Sequence, residues 1–365
     1  MISIIRNLIM SASLLALANC DVSAETAGRA HPVGMQMLQY EDTCRLDWTA
    51  SKPRPLATTI WYPAQAGALE KEWNVSIFKA GSNAMGATMS STPQKLPLIL
   101  LSHGTGGSAA SMAWLAESLA AHGYIVAAVN HHGNTGYEKK TRLEAFVVWW
   151  DRPRDISIVI DRLLADPVFG DRIDAQRIAV AGFSIGGYTA LASVGARISY
   201  AQWEEFCGKH ASNPKCKLPP EAKFSQAELQ TLLKENQRVK NAIAVSGASY
   251  SDARIRAAYS IAPVMGRAVT KDSMQNIKVP VRIVVGADDD QAIPEFNAQI
   301  YAANIAGSTM QILPAVTHYS FLAECTALGK MAVPQICADP AGVDRRALHQ
   351  QVAADALKFF AVHLH

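Results

Sequence analysis

From residue 96 onwards, short uninterrupted apolar runs alternate with segments whose apolar residues recur every three or four positions. The runs are residues 96–101, 125–129, 178–181, 242–245 and 281–285. An apolar run without polar alternation indicates a strand that is buried on both faces, as in a parallel sheet covered by helices. The pattern therefore predicts an α/β fold with a mostly parallel, doubly wound sheet.

Helical periodicity marks three segments between and after these runs. They cover residues 108–121, 152–164 and 343–364. Gly123, just after the first segment, is typical of a helix end, and Pro153, in the first turn of the second, is typical of a helix beginning. No internal repeat is visible, so we expect residues 25–365 to form one domain with about eight strands.

The remaining parts of this domain have weaker patterns. Residues 33–40 and 56–62 read as strands, and the polar, Gly-, Ser- and Thr-rich residues 65–95 predict a long surface loop. Residues 200–240 interrupt the alternation of strands and helices. We interpret this segment as a small helical insertion.

The first residues of the chain do not continue the pattern of the fold. An apolar run at residues 8–18 is too short to span a bilayer, and residues 22–24 supply the small side chains that a signal peptidase reads. We therefore expect residues 1–24 to be a signal peptide and the mature protein to be secreted or periplasmic. Two alternatives are a lipoprotein anchored to a membrane through Cys20 and a buried N-terminal helix.

Composition and charge narrow the classes of function. The chain has 365 residues, of which 49% are hydrophobic and 18% charged, as is ordinary for a globular protein with a large core. The formal net charge is +3, and there is no long run of Lys or Arg, which argues against a nucleic-acid partner. No Cys or His spacing resembles a zinc site.

The cysteines are expected to follow the oxidising compartment that export implies. Cys207 and Cys216 are close in sequence, as are Cys325 and Cys337, and each pair is predicted to bond and staple a loop. Cys44 has no such neighbour, and we expect it to be a small buried apolar residue.

A serine between glycines lies where one buried run meets a helical segment. The sequence GFSIGG, residues 182–187, contains a Gly-x-Ser-x-Gly motif that is weak alone but specific between a strand and a helix. The bend strains the serine backbone, and Gly182 and Gly186 remove side chains that would clash. Ser184 would then project from the carboxyl end of a strand, where ligands of open α/β sheets bind. We predict that Ser184 is a nucleophile; the alternative is a helix-capping serine.

A serine hydroxyl becomes a good nucleophile only when a base lies within hydrogen-bond reach. His318 is favoured because it follows the short apolar run 310–313 and because candidate acids follow the preceding strand. His131 and His132 follow another strand and are the alternatives. His103 is expected to be structural.

Three consecutive carboxylates follow the predicted strand that ends at Gly286. They are Asp288, Asp289 and Asp290, which could also form a solvated turn or weak metal ligands. A triad needs one of them to hold the imidazole in one tautomer and to stabilise its positive form. We choose Asp289 and keep its two neighbours as alternatives. The resulting chain order of nucleophile, acid and base is that of α/β-hydrolases.

Attack on a carbonyl group creates an oxyanion that needs hydrogen-bond donors already in place. The sequence LSHGTGG, residues 101–107, follows the first buried run, and its small residues let the backbone approach a substrate. We predict that the backbone N–H groups of Thr105 and Ile185 are the donors. The alternative, a phosphate-binding loop, lacks the Gly-Lys-Ser/Thr ending of a P-loop.

Together, LSHGTGG, GFSIGG, GADDDQAIP and THYSFL resemble the α/β-hydrolase superfamily, in particular bacterial proteins grouped with platelet-activating factor acetylhydrolase and predicted dienelactone hydrolases. The resemblance spans residues 96–365, including WDRPRDISIVIDRLL and the cysteine-bearing tail. It implies an α/β-hydrolase fold, with the triad and the oxyanion donors on the positions chosen above. The serine nucleophile, in place of the cysteine of true dienelactone hydrolases, favours ester hydrolysis.

The sequence thus predicts an exported serine esterase that forms an acyl-enzyme on a small or lipid-like ester and needs no metal or cofactor. Candidates to line an acyl pocket are Trp149, Trp150, Phe183 and Tyr319, although large aromatics more often pack in a core. The same groups could cleave a lactone, an amide or a C–C bond of a β-diketone, and a non-catalytic binding protein is a further alternative. The insertion at residues 200–240 is predicted to form a lid or rim over the pocket.

Overall fold

The computed structural model describes residues 31–213 and 216–364. The predicted signal peptide, residues 1–24, and the alternative lipidation site Cys20 lie outside the described residues. None of the described helices is both long and apolar enough to cross a lipid bilayer.

Within the described residues, ten strands form one mixed sheet. They are β1 (Val33–Leu46), β2 (Pro53–Pro63), β3 (Lys71–Val75), β4 (Phe78–Met85), β5 (Leu96–Ser102), β6 (Ile125–Val129), β7 (Ile173–Phe183), β8 (Ile255–Ile261), β9 (Val281–Gly286) and β10 (Thr309–Leu313). Their order across the sheet is β10-β9-β8-β7-β5-β6-β2-β1-β4-β3. The six strands from β10 to β6 are parallel, whereas β2 pairs antiparallel with both β6 and β1.

Helices connect and cover these strands. They are α1 (Ala113–Ala121), α2 (Leu143–Val147), α3 (Arg152–Leu164), α4 (Ile185–Ala192), α5 (Tyr200–Lys209), α6 (Gln226–Glu235), α7 (Gln237–Ala244), α8 (Lys271–Gln275), α9 (Ala298–Asn304), α10 (Ala327–Ala332), α11 (Pro334–Cys337) and α12 (Arg345–His363). Short 3-10 turns include Ala109–Met112, Trp149–Asp151, Gly170–Arg172, Pro220–Ala222, Pro294–Phe296 and His318–Phe321.

The core lies on both faces of the parallel strands. All five residues of β6 are buried, and because successive side chains of a strand point to opposite faces, both faces of the sheet are covered there. Helix α1 packs with α12, and α3 packs with α4. The predicted class, a mostly parallel sheet with helices, is confirmed.

The prediction of a strand at residues 242–245 is wrong. These residues lie at the end of α7, and the next strand in the chain, which pairs with β7 on the side away from β5, is β8. The Asn236 side chain accepts a hydrogen bond from the Val239 N–H and caps the start of α7. From there a helical period places Val239, Ala242 and Ile243 against the core, which outweighs the local apolar run.

The prediction of a loop at residues 65–95 is also wrong. The segment contains β3 and β4, which form an antiparallel hairpin at the edge of the sheet. Backbone pairing holds this hairpin, and its tip is tied to the C-terminal region by a 2.8 Å bond from the Thr326 N–H to the Ile77 carbonyl oxygen. With these two polar strands the sheet has ten strands, whereas the sequence predicted about eight.

Both predicted cysteine pairs are disulfides. Cys207 bonds to Cys216 and Cys325 to Cys337. Cys44, however, is exposed rather than buried. It lies in β1 between Asp42 and Leu46, where the register with β2 shifts, so its side chain does not enter the core.

Candidate active site

The strand–turn–helix bend around Ser184 has the strained geometry that the sequence motif predicts. Ser184 lies between β7 and α4 with φ 58° and ψ −119°, a left-handed φ that few non-glycine residues adopt. A Cβ on Gly182 would overlap the Gly186 carbonyl, and a Cβ on Gly186 would overlap the Ser102 carbonyl. The Ser184 N–H donates to the Ile261 carbonyl oxygen at 2.9 Å, which ties the bend to β8.

The structure brings the side chains of Ser184, His318 and Asp289 together. His318 Nε2 lies 2.9 Å from Ser184 Oγ, and His318 Nδ1 lies 2.8 Å from Asp289 Oδ2. A carboxylate only accepts, so Nδ1 carries the proton and Nε2 is free to accept the serine proton. All three residues are buried. They come from the ends of β7, β10 and β9, at the carboxyl edge of the parallel sheet.

The three consecutive carboxylates have different environments. Asp289 is buried, and its second oxygen accepts two backbone N–H groups, whereas Asp288 and Asp290 are exposed. Burial alone would raise the pKa of Asp289, but its electrostatic attraction to His318 and the hydrogen bonds from His318 and from the two backbone N–H groups outweigh burial and hold the pKa below its usual value. Of the three carboxylates, Asp289 is the one bonded to His318.

The alternative bases have other partners. His131 Nδ1 lies 2.9 Å from Asp155 and its Nε2 lies 2.8 Å from Ser102 Oγ. His132 Nδ1 lies 2.7 Å from a Glu138 oxygen. Burial lowers the pKa of His131 to about 4. Both histidines are therefore part of the surrounding framework rather than of the Ser184 cluster.

The two predicted oxyanion donors lie on opposite sides of the Ser184 bend. Ile185 is the first residue of α4, so its N–H has no acceptor within the helix. Thr105 lies in the loop after β5, residues 103–107, which we name the oxyanion loop. Within the described residues, the Thr105 N–H donates no hydrogen bond. The loop is held by Asn134 Oδ1, which accepts the Gly106 N–H at 2.7 Å.

Two cavities adjoin the site. A large cleft of about 900 Å³ is lined by Ser184 and His318, and a smaller cavity of about 140 Å³ is lined by Ile185. Thr105 contributes to both. Of the four aromatic candidates for a pocket, Phe183 and Tyr319 line the large cleft and Trp149 lines the small cavity, whereas Trp150 lines neither and is buried with its ring against Trp149.

Part of the large cleft comes from residues that the sequence analysis did not identify. Trp73, Val75 and Phe78 of the β3–β4 hairpin line it, and so does Ile336 next to the Cys325–Cys337 disulfide. The hairpin is polar and short, so no local apolar period could have revealed these contacts.

The predicted insertion reaches the cleft. Its residue Glu221 lines the cleft and accepts a 3.0 Å hydrogen bond from the Tyr319 hydroxyl, beside His318. At the other end of the insertion, Arg238 lies over the Trp48 ring at 4.8 Å and donates to the Leu46 carbonyl oxygen at 2.8 Å. The insertion is thus attached both to the site and to the β1–β2 turn.

Parts of the chain match the family models of two groups of hydrolases, and its fold matches that of a solved esterase structure. Residues 71–141 match the family model described as platelet-activating factor acetylhydrolase, isoform II, and residues 110–200 match the prolyl oligopeptidase family. The solved structure of a ferulic acid esterase from Streptomyces cinnamoneus superimposes with a TM-score of 0.63 over 93% of this chain and 92% of that chain, at 23% identity. The chain therefore has the α/β-hydrolase fold.

Curated relatives of the chain include cutinases of Thermobifida. The chain is 35% identical over 91 residues to cutinase est2 of Thermobifida alba, which is 24% of this chain and 27% of that protein. It is 32% identical over 91 residues to cutinase 2 of Thermobifida cellulosilytica, which is 24% of this chain and 30% of that protein. The match thus spans less than a third of the length of these relatives. The matched proteins are named as an acetylhydrolase, cutinases, a ferulic acid esterase and the prolyl oligopeptidase family.

Proposed function

We propose that this protein is a serine hydrolase that cleaves carboxylic esters through an acyl-enzyme. The observation that carries the proposal is the continuous hydrogen-bonded arrangement of Ser184, His318 and Asp289 at the wall of a large cleft. An ester as the substrate is supported by the names of most of the similar proteins, which are an acetylhydrolase, cutinases and a ferulic acid esterase, whereas the prolyl oligopeptidase family is the exception.

In the acylation step, Ser184 Oγ attacks the ester carbonyl carbon while its proton moves to His318 Nε2. Asp289 holds the imidazole in the required tautomer and stabilises the imidazolium that forms. The carbonyl oxygen becomes an oxyanion that accepts hydrogen bonds from the Thr105 and Ile185 N–H groups. One such donor typically contributes about 3 kcal/mol to the stability of the transition state.

The ester then breaks and the enzyme is restored. His318 gives its proton to the oxygen of the leaving alcohol as the bond from that oxygen to the carbonyl carbon breaks. A water molecule next gives its proton to His318 Nε2 and attacks the acyl carbon. Collapse of the second oxyanion releases the carboxylic acid and returns the proton to Ser184.

We assign the alcohol and the acyl group of the ester to the two cavities. The leaving alcohol must lie near His318, which protonates it, and His318 lines the large cleft but not the small cavity. The acyl group would then lie on the side of Ile185, in the small cavity next to Trp149. Its volume of about 140 Å³ is close to that of a cavity that holds a benzene ring, which favours short or single-ring acyl groups.

Export is part of the proposal. The disulfides Cys207–Cys216 and Cys325–Cys337 support it, since such bonds persist in oxidising compartments. Fractionation of expressing cells tests it: a soluble, processed protein outside the cytoplasm is expected. A membrane-bound form lost on Cys20→Ser would indicate lipidation, and a cytoplasmic protein would contradict export.

The test of the chemistry is covalent labelling with a fluorophosphonate probe. The native protein should label at one site, Ser184→Ala should abolish labelling, and Ser249→Ala, at an exposed serine, should leave it intact. A folded native protein that does not label would favour a non-catalytic binding protein. A panel of p-nitrophenyl esters, lactones, β-diketones and peptides then separates ester hydrolysis from cleavage of the other bonds.

A further inference from the structure

A network of buried charges lies behind the candidate active site. Its centre is Asp155 in the first turn of α3, with no exposed surface. Asp155 accepts hydrogen bonds from Arg54 Nε at 2.8 Å, Arg45 Nη2 at 2.6 Å and His131 Nδ1 at 2.9 Å. Burial opposes ionisation, but the arginines hold the pKa of Asp155 well below its usual range, so the carboxylate is charged.

The network contains a second serine–histidine–aspartate arrangement. His131 Nδ1 donates a hydrogen bond to Asp155, and His131 Nε2 accepts a 2.8 Å hydrogen bond from the Ser102 hydroxyl. The Ser102 side chain is fully buried and lines neither cavity at the site, so a substrate does not reach it. Ser102 is the last residue of β5, immediately before the oxyanion loop.

His103 carries this network into the oxyanion loop. The His131 backbone N–H donates to His103 Nε2 at 3.1 Å, so the imidazole proton is on Nδ1, which donates to the Gly104 carbonyl oxygen at 2.7 Å. Burial lowers the pKa of His103 well below its usual value, so the ring is neutral. The beginning of the loop therefore has a defined orientation.

Arg152, also in the first turn of α3, is the other contact between the network and the loop. Arg152 is 2% exposed, and its Nη1 donates to the His103 carbonyl oxygen at 2.7 Å. Its Nη2 lies 3.5 Å from the carbonyl oxygen of Asn134, whose side chain holds the Gly106 N–H. Among the described residues Arg152 forms no ion pair, and its Nε has no hydrogen-bond partner.

A buried arginine without a direct ion pair is unfavourable for stability: burial desolvates the charge of Arg152 and lowers its pKa to about 9, although the negative charge of Asp155 partly offsets this effect. The hydrogen bonds of Arg152 go instead to the backbone of His103, which precedes Thr105 in the loop, and of Asn134, whose side chain holds Gly106 after Thr105. We propose that Arg152 is a positioning residue for the oxyanion hole, which fixes the two ends of the loop so that the Thr105 N–H points at the developing oxyanion. This role rests on the proposed esterase function.

The test compares Arg152→Met with Arg54→Met. Both arginines are 2% exposed and belong to the same network, but Arg54 binds Asp155 and no group of the oxyanion loop. For each variant, kcat and KM are measured with a p-nitrophenyl ester, together with Tm and the inhibition constant of an alkylboronic acid, whose tetrahedral adduct on the serine imitates the transition state.

We expect Arg152→Met to lower kcat by about 10- to 100-fold with KM within about threefold, because an oxyanion donor contributes to the transition state and not to the bound ester. The boronate inhibition constant should rise by the same factor. Arg54→Met should lower Tm at least as much and leave kcat within about threefold. Arg152→Lys, which keeps a cationic donor, should recover part of kcat.

Equal losses of kcat in Arg152→Met and Arg54→Met would overturn the proposal, as would a loss of Tm without a loss of kcat in Arg152→Met. If Arg152→Met does not fold, the comparison of Arg152→Lys with Arg54→Lys decides by the same criterion. Failure of the proposed function has a different signature, which is a native protein that neither hydrolyses esters nor binds the boronate.

Discussion

Replacing Asp289 by asparagine tests the role of the buried carboxylate. In the native protein Asp289 Oδ2 accepts the His318 Nδ1–H at 2.8 Å, while its other oxygen accepts two backbone N–H groups. An asparagine oxygen can keep the backbone bonds, but its NH₂ group then faces His318. The imidazole must accept at Nδ1, so its proton moves to Nε2, which can no longer take the Ser184 proton.

The expected loss of kcat is about 10⁴-fold, or about 5.4 kcal/mol of activation free energy, because the wrong tautomer removes general-base catalysis. KM should stay within about threefold, since Asp289 lines neither cavity at the site. Steady-state hydrolysis of a p-nitrophenyl ester measures both constants. Asp288→Asn and Asp290→Asn, at exposed carboxylates, are the matched controls and should keep kcat within about threefold.

Two results would refute this reasoning. One is a large loss of kcat in Asp288→Asn or Asp290→Asn with a small loss in Asp289→Asn, which would move the acid to a neighbour. The other is a small loss in all three variants, which would mean that His318 does not depend on a carboxylate for its tautomer.

Three further predictions concern stability and the shape of the site. Burial lowers the pKa of His349 to about 4, so between pH 6.5 and 4 the unfolded chain binds a proton that the folded protein does not. The native protein therefore loses stability as the pH falls through this range, and His349→Gln should make that loss smaller by about 3 kcal/mol. Urea unfolding at both pH values measures this, and an unchanged difference, or an equal effect of His363→Gln at an exposed site, would contradict it. Replacing Cys325 and Cys337 by serine should lower the free energy of unfolding by about 3 kcal/mol. It should also raise KM, because the segment closed by this disulfide holds the β3–β4 hairpin at the cleft. A loss of stability with an unchanged KM would argue against a role of this segment in positioning the hairpin. Trp203→Ala widens the small cavity, which Trp203 of the insertion lines, and should raise kcat/KM for esters of longer acyl chains relative to acetate esters. An unchanged preference for acyl-chain length would contradict both the placement of the acyl group in this cavity and the role of the insertion as a lid.

The parallel part of the fold could be predicted from the sequence because burial on both faces leaves an uninterrupted apolar signal. The runs at 125–129 and 281–285 coincide with β6 and β9. Residues 242–245 give a similar signal over four positions, and only the cap at Asn236 and the helical period upstream distinguish α7 from a strand. A short apolar run alone does not separate the two structures.

Features that depend on long-range contacts could not be predicted from local sequence patterns. The β3–β4 hairpin is stabilised by pairing at a sheet edge and by its contact with the C-terminal disulfide segment, neither of which leaves an apolar period in the sequence. Likewise, Ser184 and His318 are 134 residues apart, and their proximity was inferred from the order of loops rather than from any local feature.

The candidate triad residues were easier to choose from the sequence than the residues that line the cleft. A nucleophile, a base and an acid each need a specific residue type at the end of a strand, which restricts the choice to a few positions. A wall needs only apolar volume, which many residues supply. Trp150 fits the composition of a pocket as well as Trp149 does, yet it packs in the core.

The acyl-enzyme on Ser184 can be detected by mass spectrometry of the protein after rapid acid quenching during turnover of a p-nitrophenyl ester. We expect a fraction of the protein to be heavier by the mass of the acyl group minus one hydrogen, with the added mass on the peptide that contains Ser184. No acyl adduct during confirmed turnover, or an adduct on another residue that persists in Ser184→Ala, would contradict the proposed mechanism.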